Sequence, residues 1–274
     1  MTHEQSRRKS LRLAFVGWGA IARRVAGLLQ ARNTDITVVG VATRNPPPAG
    51  SDLPDGTRWL TAPSDLREVE LDLVVEAAGR DAVEPWGLES LRCASGFVVS
   101  STSAFSDDAV LQRLVDEAER HGSQILIPSG ALAGLDALAA ASRLTLESVT
   151  HRIIKPPRAW KGTPAEKFVD LDTLTSAHVF FHGSAREAAS QFPANANVAA
   201  ISALAGIGFE RTSVALVADP ATTENCHHLT ARGDFGSLNI MIENRPFAAN
   251  PKSSELTALS LVRLIENKTR AIAI

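Results

Sequence analysis

The sequence predicts an α/β protein in which a doubly wound parallel sheet is followed by a second α+β domain built on a mostly antiparallel sheet. Three observations predict this architecture. Short apolar runs alternate with helical stretches over residues 11–127, strand candidates cluster over residues 148–242, and a glycine-rich turn directly follows the first strand candidate. We therefore expect the first domain at residues 1–130, completed by a C-terminal helix at about 255–274, and the second domain at residues 131–254.

The first half alternates regularly between strands and helices. Ile21, Val25 and Leu29 recur at helical intervals, and Gly122 stands where a helix C-cap is expected. Consecutive prolines place residues 45–56 in a loop. The expected strands are 11–16, 37–41, 71–75, 97–99 and 124–127, and the expected helices are 20–30, 83–93 and 107–121. Such alternation is typical of a parallel sheet covered by helices.

The second half is rich in strands. The expected strands are 148–154, 177–181, 213–218, 225–231 and 237–242, with helices at 185–191 and 197–204 among them. Clustered strands favour an antiparallel sheet with helices on one face. Leu256, Leu259 and Val262 follow helical spacing and predict a last helix at 255–267, which we expect to pack against the first domain.

Composition excludes several classes of protein. Lys and Arg total 28 against 30 Asp and Glu in 274 residues, so the chain lacks the positive field that nucleic acid or an anionic membrane would require. No apolar run approaches the roughly 20 residues that cross a bilayer, and we expect no signal peptide. The two cysteines fit a reducing compartment, so we expect a cytoplasmic protein. The spacings typical of zinc sites are missing from the sequence, and no metal is expected.

A glycine-rich motif opens the first helix. Gly17-Trp18-Gly19-Ala20-Ile21-Ala22 has the spacing G-x-G-x-x-A. In a Rossmann-type fold the first glycine permits a tight turn, the second lets the backbone approach a pyrophosphate, and a small third residue allows close packing of helix and strand. The N–H groups at the helix start then face the anion. We expect Gly17, Gly19, Ala20 and Ile21 to bind NAD or NADP, the alternative being a structural glycine turn.

Two other turns of this domain bear on the cofactor. The acidic residue that takes the ribose hydroxyls of NAD is missing after the second strand, where Thr43-Arg44 stands instead. Arg44 favours binding of the 2′-phosphate of NADP, or use of both NAD and NADP. The alternative is a solvated loop arginine. After the next strand, Ala78 and Gly79 offer small residues where the nicotinamide side would pass, or simply pack closely.

Six ordered segments beyond the glycine loop resemble a known family. They are residues 128–131 (PSGA), 155–164 (KPPRAWKGTP), 183–189 (GSAREAA), 193–200 (PANANVAA), 218–220 (ADP) and 250–253 (NPKS). Together they resemble the bacterial L-aspartate dehydrogenase family over nearly the whole chain. The resemblance implies NAD(P)-dependent oxidative deamination of L-aspartate to 2-iminosuccinate, which hydrolyses to oxaloacetate and ammonia or feeds NAD biosynthesis.

The resemblance also implies site residues. Ala131 and Asn197 match positions that the family uses for the cofactor, and His227 matches its catalytic histidine. The chain departs from the family pattern at Ala22, where a third glycine is usual, and over residues 100–105. The second departure keeps open a dehydrogenase or reductase of another small amino or carbonyl compound. A dinucleotide-binding regulator without turnover is the alternative from a different class.

The histidines are weighed by the proton chemistry. Oxidation of an amine removes a hydride from carbon and a proton from nitrogen, and histidine suits the proton step. Of the seven histidines, His227 and His228 are neighbours on an expected strand, so their side chains point to opposite faces and only one can enter a given site. The resemblance selects His227. Asn195 and Asn197 precede a helix, where an asparagine either caps the helix or holds the nicotinamide carboxamide.

A dicarboxylate substrate requires cations and hydrogen-bond donors. Lys155, Arg158, Lys161 and Thr163 surround a rigid Pro156-Pro157 turn and are the expected substrate contacts. The alternative is a solvated basic loop anchored by Trp160, a residue that otherwise packs over a ligand. Arg186 in the first turn of its helix opposes the helix dipole, which suggests an anionic partner unless Glu187 satisfies it. Open sheets of this kind often pair across a two-fold axis, so we expect a homodimer.

Overall fold

The computed structural model describes residues 10–32, 34–46, 52–193, 196–247 and 250–274. The chain divides into two units. The first contains the described residues up to Val99 together with Arg113–Leu126 and Val262–Ile274, and the second contains Ser100–Gln112 and Ile127–Leu261. Residues 100–112 and 255–261 thus group with the second unit, whereas the expected boundaries place them in the first.

A parallel sheet forms the centre of the first unit. Six of the described strands form it in the order β3-β2-β1-β4-β5-β6. They are β1 Leu11–Val16, β2 Ile36–Ala42, β3 Arg58–Leu60, β4 Leu73–Glu76, β5 Gly96–Val99 and β6 Gln124–Leu126. The order reverses between β1 and β4, where Val16 pairs with Glu76. In such sheets ligands bind beyond the carboxyl ends of the strands at this switch point, so the turns after β1 and β4 are the place for a site.

The helices of this half begin and end near their expected positions. They are α1 Ala20–Ala31, α2 Arg80–Cys93 and α3 Asp108–His121. Helix α1 buries Ala22, Val25 and Leu29, which follow helical spacing. The predicted parallel architecture is confirmed. Residues 47–51, part of the expected loop at 45–56, lie outside the described residues.

The second unit is built on a mixed sheet that is mostly antiparallel, as expected. Its order is β11-β10-β7-β9-β8. The strands are β7 Leu146–Lys155, β8 His178–Ser184, β9 Thr212–Ala218, β10 Asn225–Gly233 and β11 Gly236–Asn244. Strands β7 and β9 are parallel, and the other neighbouring pairs are antiparallel. A two-stranded sheet of β12 Pro246–Phe247 and β13 Asn250–Ser254 follows.

The remaining helices are α4 Leu135–Ala141, α5 Pro157–Trp160, α6 Ala185–Gln191, α7 Asn197–Ala205 and α8 Glu255–Glu266, and shorter 3₁₀ turns span Pro63–Glu68, Thr102–Ser106 and Pro164–Lys167. Helices α4 and α6 both contact α7, and the three helices cover one face of the five-stranded sheet. Leu138 of α4 packs in a buried cluster with Val149 of β7 and Leu229 of β10. Burial of alternate residues on β7 and β10 follows from the side-chain period of two in a strand.

The end of the chain belongs to the first unit from Val262 onward. There the Glu266 carboxylate is almost completely buried and pairs with Arg32 at the end of α1. This ion pair fastens the chain terminus to the parallel-sheet unit. None of the helices in the described part of the chain is long and apolar enough to cross a membrane.

Candidate active site

The turn between β1 and α1 has the geometry of an anion site. Gly17 has φ +93°, and a Cβ there would lie 2.7 Å from the Ala78 Cα, so a side chain is excluded. A Cβ on Gly19 would meet nothing within 4 Å, which leaves open space above the N-terminus of α1. Helix α1 has no acidic residue in its first turn and no capping side chain in the described part of the chain. Its N–H groups and the positive end of its dipole therefore face this space.

A cavity of about 510 Å³ opens beside this turn. Volumes of this size are typical of small-molecule and cofactor sites. Ala22 is fully buried against the sheet, as expected for the small third residue of the motif. The lining residues come from the ends of β1, β2, β3 and β4 and from the start of α2, and they include Gly17, Gly19, Thr43, Arg44, Thr61, Ala78, Gly79 and Trp86.

Arg44 lies exposed at the edge of this cavity, directly after β2. No ion pair or hydrogen bond engages its side chain among the residues that the structure describes. Its neighbour Thr43 is fixed, since its hydroxyl donates to the Asn45 carbonyl and accepts the Trp59 indole N–H. A guanidinium in this position is available to a phosphate.

Glu76 organises the turn after β4, a role that the sequence analysis did not assign to it. Its side chain is fully buried, and Oε1 accepts the backbone N–H groups of Ala78 and Gly79, each at 2.8 Å. Gly79 has φ +139°, a conformation that L side chains rarely adopt. A carboxylate at the end of a buried apolar strand is the sequence signal for such an anchor, because a buried charge needs hydrogen-bond partners.

The second unit contains the predicted catalytic histidine. His227 lies on β10 with its side chain on the helix-covered face, 2 % exposed. His228 points to the opposite face, where Nε2 hydrogen-bonds the Asn239 amide oxygen. This arrangement confirms that the two side chains lie on opposite faces.

His227 does not stand alone. Its Nδ1 lies 3.1 Å from Nε2 of His151, and His151 Nδ1 lies 3.1 Å from the Ser202 hydroxyl. No sequence pattern singles out His151. The pairing of β7 with β10 places His151 opposite Leu229, two residues along from His227, and this register is a tertiary property. Ser202 lies on α7 and is also fully buried.

Burial determines the charge of both imidazoles. It lowers the pKa of His151 to about 3, with a smaller effect of His228. Burial also lowers the pKa of His227 well below its usual range, and His151 and the positive charge of Lys155 lower it further. Both rings are therefore neutral at physiological pH, and a neutral imidazole can accept a proton.

Lys155, one of the expected substrate contacts, also lowers the pKa of His227. It is the last residue of β7, is 5 % exposed, and its Nζ lies 5.5 Å from the centre of the Trp160 ring. Trp160 is fully buried and its indole N–H donates to the Val217 carbonyl. This geometry supports the anchoring role of Trp160 and not a position over a ligand.

The other expected substrate contacts occupy different surroundings. Arg158 is exposed and donates to the Thr223 carbonyl at 3.2 Å. Lys161 pairs with Asp172 at the surface. The Thr163 hydroxyl donates to the Trp160 carbonyl at 2.6 Å and accepts the Ala165 N–H. Their contact with a substrate remains a prediction.

Asn197 is the first residue of α7, while Ala196 occupies the capping position. The Asn197 side-chain oxygen accepts the Ser103 N–H at 3.1 Å, and its carbonyl accepts the Thr102 hydroxyl. Asn197 thus fixes the segment in which the chain departs from the family pattern. Asn195, the other candidate cap, lies outside the described residues.

Two further expectations concern Ala131 and Arg186. Ala131 is buried and its carbonyl accepts the Asn244 amide at 2.9 Å. The anionic partners of Arg186 are Asp108 and Glu210 of the chain itself. An external anion is therefore not required at Arg186. Within the described ranges, no group of three or more His, Cys, Asp or Glu residues could hold a metal ion.

The parallel sheet, the glycine turn and its cavity define a dinucleotide-binding oxidoreductase. A model described as "Homoserine dehydrogenase, NAD binding domain" matches residues 17–128, and one described as "Aspartate dehydrogenase, C-terminal" matches residues 136–268. The L-aspartate dehydrogenase of Brucella anthropi is 53% identical, with 96% of this chain and 98% of that protein covered. The L-aspartate dehydrogenase of Polaromonas sp. is 44% identical and is covered over its whole length, again with 96% of this chain.

A solved structure agrees with these sequence matches. The aspartate dehydrogenase of Thermotoga maritima superposes with a TM-score of 0.77 at 29% identity, over 96% of this chain and 99% of that one. The chain belongs to the L-aspartate dehydrogenase family. The predicted resemblance is confirmed, and so are the expectations of an enzyme and of NAD or NADP as its cofactor.

Proposed function

We propose that this protein catalyses the NAD(P)-dependent oxidation of L-aspartate to 2-iminosuccinate, which water then hydrolyses to oxaloacetate and ammonia. The observation that carries the proposal is the neutral, buried His227 in a chain that belongs to this family. Within the described residues, Nε2 of His227 has no hydrogen-bond partner, so its ring has one nitrogen available to a substrate.

The residues of the first unit fit a nicotinamide dinucleotide. The space above Gly19 and the uncapped N-terminus of α1 suit a pyrophosphate held by Gly17, Gly19, Ala20 and Ile21. Ala78 and Gly79, fixed by Glu76, would border the nicotinamide side. We assign Arg44 to the adenosine ribose or its 2′-phosphate, and Ala131 and Asn197 to the cofactor on the strength of the family match.

The chain's own residues would perform the proton step and bind the substrate. The bound nicotinamide supplies a hydride acceptor for the α-carbon of aspartate. His227 Nε2 would accept the proton that leaves the substrate ammonium group, which gives a neutral amine, and loss of the hydride from the α-carbon of this amine leaves an iminium. Lys155 would bind a substrate carboxylate, and its buried ammonium also keeps His227 neutral before the reaction. Arg158, Lys161 and Thr163 are proposed as further contacts.

Absorbance of the reduced cofactor tests this proposal. The purified protein is mixed at alkaline pH with NAD or NADP and with L-aspartate, D-aspartate, L-glutamate, L-alanine or L-malate in separate reactions. We expect turnover confined to L-aspartate. Turnover with another compound would favour the second candidate, an oxidoreductase of a different small substrate, which the altered segment at residues 100–105 supports. Cofactor binding without any turnover would favour the regulator.

The proposal extends to assembly, location and pathway. A homodimer is favoured by the second face of the mixed sheet, where Met241 is 61% exposed beside partly exposed His228. Light scattering with size-exclusion chromatography measures the mass directly. Cys93 and Cys226 are both free thiols, which fits the cytoplasm. Supply of iminosuccinate to NAD biosynthesis follows from the proposed product.

A further inference from the structure

Three buried side chains from three different elements form one hydrogen-bonded line. Ser202 comes from α7, His151 from β7 and His227 from β10. Their exposed fractions are 0%, 0% and 2%. Both links in the line, from hydroxyl to His151 and from His151 to His227, are 3.1 Å long. Because these side chains are buried, both ring nitrogens of His151 and Nδ1 of His227 have their partners inside the protein.

Ser202 determines which atom donates each hydrogen bond in the line. Its hydroxyl donates to the Ala199 carbonyl at 2.9 Å within α7. A hydroxyl has one proton to donate, so towards His151 the Ser202 oxygen acts as an acceptor. His151 therefore carries its proton on Nδ1. Since His151 is neutral, its Nε2 holds a lone pair.

This lone pair determines the tautomer of His227. Two unprotonated nitrogens facing each other at 3.1 Å in a dry site would repel, so His227 must carry its proton on Nδ1 and donate it to His151. The lone pair of His227 is then on Nε2, the nitrogen without a partner in the described part of the chain. We propose that Ser202 and His151 are positioning residues that hold His227 in the Nδ1–H tautomer, so that Nε2 is the nitrogen that accepts the substrate proton.

A neutral partner has a chemical advantage for a dicarboxylate substrate. A carboxylate in place of His151 would also fix the tautomer, but it would add a buried negative charge near the anionic substrate. His151 fixes the tautomer without that charge. The inference rests on the proposed function, because it assigns the proton-accepting atom of the same reaction.

Three substitutions separate positioning from folding. His151→Leu removes the acceptor for His227, and we expect kcat to fall about 10- to 100-fold, part of what a positioned general base contributes, with KM for aspartate within about twofold. His151→Gln places an amide oxygen near the former Nε2 and should recover most of the lost kcat. Ser202→Ala should reduce kcat less than His151→Leu. The matched control is His228→Gln, on the same strand with its side chain on the opposite face, which should retain full activity.

The deciding measurement is the nitrogen NMR spectrum of the imidazoles in the full-length protein labelled with ¹⁵N-histidine at neutral pH. We expect His227 to be protonated at Nδ1 and bare at Nε2, and His151→Leu to leave the His227 tautomers mixed. The His227 signals are assigned by their loss in His227→Gln. A proton on Nε2 of His227, or an unchanged tautomer in both His151→Leu and Ser202→Ala, would overturn the proposal. The spectrum needs no turnover, so it remains informative if aspartate proves not to be the substrate.

Discussion

At the scale of single residues, the properties of His227 and of the glycine turn follow from their surroundings. His227 is neutral because burial and the nearby Lys155 disfavour its charged form. Position 17 requires glycine because its φ is positive and a Cβ would contact the backbone of Ala78, whereas Gly19 borders open space that a ligand can occupy. Substitutions at these positions therefore have different expected effects.

Replacing His227 tests the proton step. His227→Gln removes the acceptor nitrogen, and kcat should fall about 10²- to 10⁴-fold, the range for a positioned general base. Cofactor affinity, measured by fluorescence of NADH or NADPH, should change less than twofold, because His227 is proposed to contact the substrate and is not among the residues assigned to the cofactor. Full activity in this variant would remove His227 from the mechanism.

The expected role of Arg44 is to distinguish between the two cofactors. Arg44→Gln removes the guanidinium at the edge of the cavity. If it binds the 2′-phosphate, the Kd for NADP should rise about 10- to 100-fold, as expected for loss of a charge-assisted hydrogen-bonded pair. The Kd for NAD should stay nearly constant and serves as the internal control. Equal values before and after the change would identify a solvated loop arginine.

At the scale of elements, the two glycines at the start of α1 have different roles. Gly17 is needed for folding, and Gly19 leaves space for the cofactor. Gly17→Ala places a Cβ against the backbone of residues 77 and 78, in a backbone conformation with φ +93°. We expect a loss of about 1–3 kcal/mol in the free energy of unfolding, measured in urea. Gly19→Ala should leave stability within about 0.5 kcal/mol but weaken cofactor binding, because its Cβ enters the open space. Similar stability of both variants would contradict this account.

Strands β7 and β10 each carry one buried histidine, and these two histidines make the free energy of unfolding depend on pH. His151 and His227 stay neutral in the folded protein, because their pKa values are lowered, while in the unfolded chain they titrate near pH 6.5. Below this pH the unfolded state binds protons that the folded state does not, so stability is lost as pH falls from about 6.5 towards 3. With a pKa of about 3 in the fold, His151 should lower the free energy of unfolding by about 2 kcal/mol between pH 7 and pH 5. His227 should add a loss in the same direction.

The contribution of one histidine can be isolated. Urea unfolding at pH 7 and at pH 5 is compared for the native protein and for His151→Gln. The variant should lose about 2 kcal/mol less than the native protein over this interval, since one neutral buried imidazole is missing. Equal losses would mean that His151 takes up a proton as readily in the folded protein as in the unfolded chain, so that its pKa is not lowered by the fold.

Sequence patterns identified those elements whose signals are local. Helix α6 begins and ends as predicted, because its start has a capping box of Ser184 and Glu187. Strand β3 was missed because it has only three residues, and α4 and α5 because they are short. His227 was found through a family motif. Its partner His151 could not be found, because their contact depends on the register of two strands far apart in sequence.

At the scale of the whole molecule, each of the two units contributes residues to the proposed reaction. The first has the glycine turn and the cavity, and the second has the histidine pair and Lys155. The similarity to L-aspartate dehydrogenases extends over 96% of the chain, so both parts belong to the same family. The central claim is that this chain moves a hydride from the α-carbon of L-aspartate to a nicotinamide.

Transfer of deuterium tests this claim most directly. The protein is incubated with L-aspartate carrying deuterium at the α-carbon and with NAD or NADP, and the reduced cofactor is isolated and analysed by NMR and mass spectrometry. The account predicts one deuterium per reduced cofactor, located at C4 of the nicotinamide, with no label transferred from D-aspartate. Reduced cofactor without deuterium, or no reduction with L-aspartate under conditions in which the cofactor binds, would contradict it.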